Sequence, residues 1–124
     1  MDPVLVLDDE PVIRFVICEA LRDAGFEAQD TASGQAALQW LAQGLRPAAV
    51  VVDLLMPGMS GREFLEMLRG DPRWFSIPVV VVTGAEFSAE VYPAEGSYQQ
   101  LVQKPFDLHE LVRVVEGLVS ISEA

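Results

Sequence analysis

The chain has 124 residues, 51% of them hydrophobic and 22% charged; this suits one domain over residues 1–124 and excludes disorder. Its single cysteine, Cys18, excludes an internal disulfide framework. Nineteen acidic residues against eight basic ones leave a net charge of -11. Such a surface repels nucleic-acid phosphate, so direct nucleic-acid binding is not expected.

Strand-like and helix-like segments alternate along the chain. Val4-Leu5-Val6-Leu7 is a short apolar run that stops at Asp8-Asp9. Pro11 can open a helix, where its missing N–H costs nothing. Apolar residues then recur at helical spacing from Val12 to Ala24, and Gly25 closes the segment. Glu27 to Asp30 reads as a weak strand, and Ser33 to about Gln43 as a helix. Ala48 to Val52 is an unbroken apolar run ending at Asp53, the pattern of a strand buried on both faces. Met56-Pro57-Gly58-Met59 reads as a turn. Ser60 and Glu63 have capping-box spacing, which predicts a helix from there to near Gly70. Val79 to Val82 is a second buried strand, ending at Thr83-Gly84. Ser88 to Tyr92 is a poor helical patch, because Pro93 and Gly96 follow and an interior proline costs about 3 kcal/mol. This predicts a short, irregular and mobile segment there. Leu101 to Gln103 is the last strand, followed by Lys104-Pro105. Asp107 and Glu110 open a final helix. The alternation predicts a parallel sheet with helices on both faces.

In such sheets, ligands gather at the carboxyl ends of the strands. Those ends carry Asp8-Asp9, Asp53, Thr83 and Lys104, and Lys104 is the only lysine in the chain. Three carboxylates at close quarters repel each other, so at least one pKa should be raised and a divalent cation would relieve the strain. The ligands are all oxygen, which favours Mg²⁺. Asp9 and Asp53 are the expected direct ligands, with Asp8 acting through water and a main-chain carbonyl at Leu55 supplying another oxygen. A metal site alone would need neither Lys104 nor Thr83. Together with Mg²⁺ they suit phosphoryl transfer to Asp53, because the cation, the ammonium and the hydroxyl can each neutralise one of the three phosphoryl oxygens.

These motifs resemble a two-component response-regulator receiver domain, the CheY-like fold. The residues that carry the resemblance are Val4 to Pro11, Asp53 to Gly61, Thr83-Gly84 and Lys104-Pro105-Phe106, in the family's order and spacing and across essentially the whole chain. The resemblance implies a doubly wound, flavodoxin/CheY-like α/β fold with a five-stranded parallel sheet in the order 2-1-3-4-5. It implies Mg²⁺-dependent phosphorylation by a histidine kinase or histidine phosphotransfer protein. Asp8 and Asp9 become metal-binding acids, Asp53 the phosphoacceptor, Thr83 the switch hydroxyl and Lys104 the phosphate-binding lysine. A phosphorylation-dependent dimer is a further expectation.

One position and one segment depart from the family pattern, and two more positions bear on phosphoryl lifetime. The family usually has Tyr or Phe three residues before the lysine, and here that switch position is Leu101. Leu55 and Ala85, two residues after the phosphoacceptor and the hydroxyl, cannot orient an attacking water. They predict slow to moderate self-dephosphorylation. The segment in place of the fourth helix predicts non-standard partner docking.

Other readings of the same residues are weaker. A dehalogenase-like phosphatase would carry a second acid at position 55, and a flavin-nucleotide binder would not place Asp8-Asp9-Glu10 where a phosphate must sit. A receiver-like fold that signals without phosphate would lack an acid or the lysine. Asp8-Asp9 could be helix-capping acids, and Thr83 a plain strand-end residue. Trp40 and Trp74 read as packing residues, Trp74 doubling as a fluorescence reporter of phosphorylation. His109 reads as a solvated helix residue. Met1-Asp2-Pro3 lacks a signal-peptide layout and no apolar run is long enough for a membrane helix, so a natural N-terminus and a cytoplasmic location are expected. The chain's end near Ala124 predicts no attached effector domain, and whether it stands alone or comes from a larger hybrid kinase or transcription factor stays open.

Overall fold

The computed structural model describes residues 2–123. Strands β1 (Val4–Leu7), β2 (Ala28–Thr31), β3 (Ala49–Val52), β4 (Val79–Thr83) and β5 (Gln100–Gln103) alternate with helices α1 (Pro11–Asp23), α2 (Gly34–Ala42), α3 (Gly61–Arg69) and α4 (Leu108–Glu123). The five strands form one sheet in the order β2-β1-β3-β4-β5, with every pair parallel. This is the expected doubly wound order, and β1, β3 and β4 are buried throughout. Val and Leu dominate these strands because both faces lie under helices.

Alternation along the strands splits the core in two. Leu5, Leu7, Val50, Val52, Val79 and Val81 face one way, toward Leu41 of α2 and Phe64, Leu65 and Leu68 of α3. Val4, Val6, Val51, Val80 and Val82 face the other way, toward Ile17 and Leu21 of α1 and Leu111 and Val115 of α4.

The helix starts obey local chemistry. Pro11 is the first residue of α1, and the Ser33 hydroxyl accepts the Ala36 amide at α2. Ser60 and Glu63 form the capping box at α3. Asp107 accepts the His109 amide at α4. The weak strand is shifted by one residue, to Ala28–Thr31, because its register is set by pairing with Val4–Leu7.

No helix lies between β4 and β5. The helical patch foreseen at Ser88–Tyr92 is a single turn, closed by the Val91 and Tyr92 amides on the Ser88 carbonyl. Pro93 lacks the N–H that would continue it. The segment is irregular as expected, yet it is tied down at many points. Arg62 of α3 donates to the carbonyls of Ala89 and Glu90 at 2.9 and 2.7 Å. Arg69, two turns further along α3, donates to Ser97, Phe75 and Ile77. Two guanidinium groups on one helix face thus do part of what a packed helix would do.

Candidate functional site

The carboxyl ends of the strands bring four of the predicted residues to one edge. Asp8 follows β1, Asp53 follows β3, Thr83 ends β4 and Lys104 follows β5. Among the described residues, Asp8, Asp53 and Thr83 are the buried polar ones, at 1, 4 and 0% exposure. The Lys104 ammonium donates to Asp53 Oδ2 at 3.0 Å, to Asp8 Oδ2 at 3.2 Å and to Glu10 Oε1 at 3.2 Å. One nitrogen therefore meets three carboxylates from two loops.

The local backbone fixes these groups. Asp8 Oδ1 accepts the Glu10 amide at 2.9 Å, and Asp53 Oδ1 accepts the Leu55 amide at 3.1 Å. Each aspartate thus has one oxygen held by main chain and the other facing Lys104. Arg14 of α1 donates to the Asp8 carbonyl at 2.8 Å and pairs with Asp30 at 2.7 Å, anchoring the loop from behind. Lys104 is placed by its amide, which bonds to the Thr83 carbonyl and continues the β4–β5 pairing.

Burial pushes the Asp8 carboxyl above the usual aspartate range. The Glu10 amide and the Lys104 charge oppose that shift, and the Asp53 charge adds to it. A raised carboxyl was expected here, but the larger cause is desolvation, not like-charge repulsion. Burial also disfavours the Lys104 ammonium. The hydrogen bond and charge of Asp53, with Asp8 and Glu10, outweigh this and hold it firmly protonated.

Carboxylate oxygens of Asp8, Glu10 and Asp53 lie within 4.8 Å of one another. An all-oxygen, all-anionic donor set fits a hard divalent cation. The sequence does not mark Glu10 as a site residue, since adjacency to Asp9 gives no sign of which acid turns inward. Asp9 is half-buried and joins no such group among the described residues. Leu55 is half-exposed, its amide committed to Asp53.

A response-regulator receiver family model matches residues 4–116. The chain belongs to the response regulator receiver domain family. It is 33% identical over 123 residues to the response regulator Rre1 of Synechocystis, covering 98% of this chain and 53% of that protein. The chain thus spans about half the length of curated relatives such as this one. Among solved structures, the signal receiver domain of a histidine kinase from Syntrophus aciditrophicus superposes with a TM-score of 0.87 at 25% identity, covering 97% of this chain and 91% of that one. The chemotaxis protein CheY4 of Vibrio cholerae superposes with a TM-score of 0.83 at 28% identity, covering 95 and 98%.

Within the receiver frame, Thr83 and Leu101 lie on the same face of the sheet. The Thr83 hydroxyl accepts the Ala85 amide at 3.1 Å. Leu101, paired with Val81, packs half-buried against the α2–α3 core. The buried aromatic ring of this region is Tyr92, from the irregular segment, and its hydroxyl donates to the Ala85 carbonyl at 2.8 Å. Sequence reading missed Tyr92 because nothing local marks a residue of a broken helix as core.

Trp74 is badly placed as a reporter. It precedes β4, packs with Leu41 and Leu45, and so sits at the end of the sheet opposite Asp53. His109 is exposed on α4, as a solvated helix residue should be.

Proposed function

We propose that Asp53 accepts a phosphoryl group from a phosphohistidine of a histidine kinase or histidine phosphotransfer protein, in a Mg²⁺-dependent reaction that switches a two-component pathway. The observation that carries this reading is the single ammonium of Lys104, bonded at once to Asp8, Glu10 and Asp53 at the carboxyl edge of the sheet. A structural ion pair would need one partner. Several acids gathered round one base describe a place built for a group of high negative charge once a cation joins it.

The chain's own residues divide the work. An Asp53 oxygen attacks phosphorus as the N–P bond to the donor histidine breaks, and the imidazole leaves with the bonding pair and takes up a proton. Leu55 holds the other Asp53 oxygen and so fixes which one attacks. Lys104 leaves its three carboxylates to meet a phosphoryl oxygen, and Thr83 turns its hydroxyl to another. Mg²⁺ would be held by Asp53 with the Asp8–Asp9 pair, the Leu55 carbonyl and Glu10 beside them. When bound, it neutralises charge on the transferred group. Leu55 and Ala85 offer no side chain to orient water, so the acyl phosphate hydrolyses slowly to moderately. The module acts in the cytoplasm.

The test is incubation with acetyl phosphate or phosphoramidate and Mg²⁺, read by intact mass. A gain of about 80 Da, one phosphoryl group, that vanishes in Asp53→Asn is expected. Failure to gain mass, or retention of the gain in that variant, would reject the reading.

A further inference from the structure

We propose that Tyr92, and not a residue of β5, carries the state of Thr83 to the surface, through the backbone of Ala85 and onto the exposed ring of Phe87. This rests on the reading of Asp53 as phosphoacceptor and names how that site is read out.

Three contacts form an unbroken chain. The Ala85 amide donates to Thr83 Oγ1 at 3.1 Å. The carbonyl of the same residue accepts the Tyr92 hydroxyl at 2.8 Å. The Tyr92 ring then meets Phe87 at a centroid distance of 5.1 Å, tilted by 59°. Thr83 is wholly buried and Tyr92 nearly so, while Phe87 is 79% exposed. A path therefore leads from a buried hydroxyl at the carboxyl end of β4 to a solvent-facing aromatic.

The path has a physical reason to switch. A hydroxyl can donate and accept at once, but a Thr83 side chain that turns about Cα–Cβ to reach a new group at Asp53 carries its oxygen away from the Ala85 amide. Once that bond goes, Ala85 has lost its tether on the amide side. Its carbonyl is then held by Tyr92 alone, so moving Ala85 moves the tyrosine or breaks its bond. The residue at the usual β5 position, Leu101, has no polar side-chain atom with which to register the change. Tyr92 can move because its segment is not a helix. Arg62 holds only the carbonyls of Ala89 and Glu90, just before it. Phe87 lies between Ala85, which is released, and Ala89, which Arg62 holds, and its ring follows the tyrosine.

Nuclear magnetic resonance of the full chain tests this, in the resting protein and with excess acetyl phosphate and Mg²⁺. In the resting protein, Thr83→Val should speed exchange of the Ala85 amide by up to about tenfold, the worth of one hydrogen bond, and shift the Tyr92 ring resonances. Thr83→Ser, which keeps the hydroxyl, should do neither. On phosphorylation, wild-type protein should lose the Ala85 protection and shift both the Tyr92 and Phe87 rings. Tyr92→Phe should gain the same mass and the same change at Ala85, with the Phe87 shift lost. The proposal is overturned if Phe87 still shifts in Tyr92→Phe, if phosphorylated wild type leaves Ala85 and Tyr92 unmoved, or if resting Thr83→Val leaves the Tyr92 ring unchanged. Should no phosphoryl group reach Asp53, the phosphoacceptor reading fails, and the resting-state comparison alone decides the coupling.

Discussion

Gly61, the first residue of α3, lies so close to Asp53 that a side chain there would drive into the Asp53 carbonyl oxygen and stand 2.8 Å from Leu54 Cα. The Gly61 amide also donates to the Leu54 carbonyl at 3.1 Å. The helix therefore begins against the backbone that aims the Asp53 carboxylate. Gly61→Ala has no flexible neighbour to displace, and overpacking of this kind costs about 1–3 kcal/mol. Chemical denaturation should show that loss, and phosphoryl uptake from acetyl phosphate should slow. Unchanged stability would mean that α3 can slide away freely.

Lys104 occupies the space between acids that a divalent cation would also neutralise. Removing it in Lys104→Ala leaves two buried carboxylates facing each other. The resting protein should lose stability, and added Mg²⁺ should raise the Tm of the variant by more than it raises that of wild type. An equal or smaller rise in the variant would show that ammonium and metal do not compete.

Arg69 has no carboxylate partner among its described contacts. It donates to the carbonyls of Ser97, Phe75 and Ile77 and to the Gln99 side chain. Burial pulls its pKa below the usual arginine value. Arg69→Ala would strand carbonyls on three loop residues, and a cost of at least about 2 kcal/mol is expected. Amide exchange should quicken from Gly96 through Gln99. In contrast, the intact segment should exchange more slowly than its irregular backbone suggests.

Cys18 is buried on α1, and burial pushes its thiol up to about 11 from about 9. The native thiol stays protonated at pH 8 and should react with a thiol reagent only after unfolding. The sign of the pH effect follows from the raised value. Between pH 9 and 11 the unfolded chain gives up this proton and the native chain keeps it. Stability from this group is complete below pH 9 and is lost as pH rises through 11. Denaturation curves of wild type and Cys18→Ala should converge over that range, and parallel curves would contradict the assignment.

Much of this protein was legible in its sequence because its chemistry is local. Val79 to Val82 can only be a strand buried on both faces, and Ser60 with Glu63 can only open a helix. The order of motifs placed Asp8, Asp53, Thr83 and Lys104 at one edge, since parallel strands put all their carboxyl ends together. Pro93 and Gly96 limited the expected fourth helix to a short, irregular patch, which is a single turn ending at Tyr92. What local patterns cannot specify is which side chain a broken segment turns inward, or which of three consecutive acids meets a lysine 94 residues away. Tyr92 in the core, Glu10 rather than Asp9 at the ammonium, and the α3 arginines that hold the loop were decided by tertiary structure. Long, flexible side chains choose their partners only after packing has fixed where the backbone carbonyls and carboxylates stand.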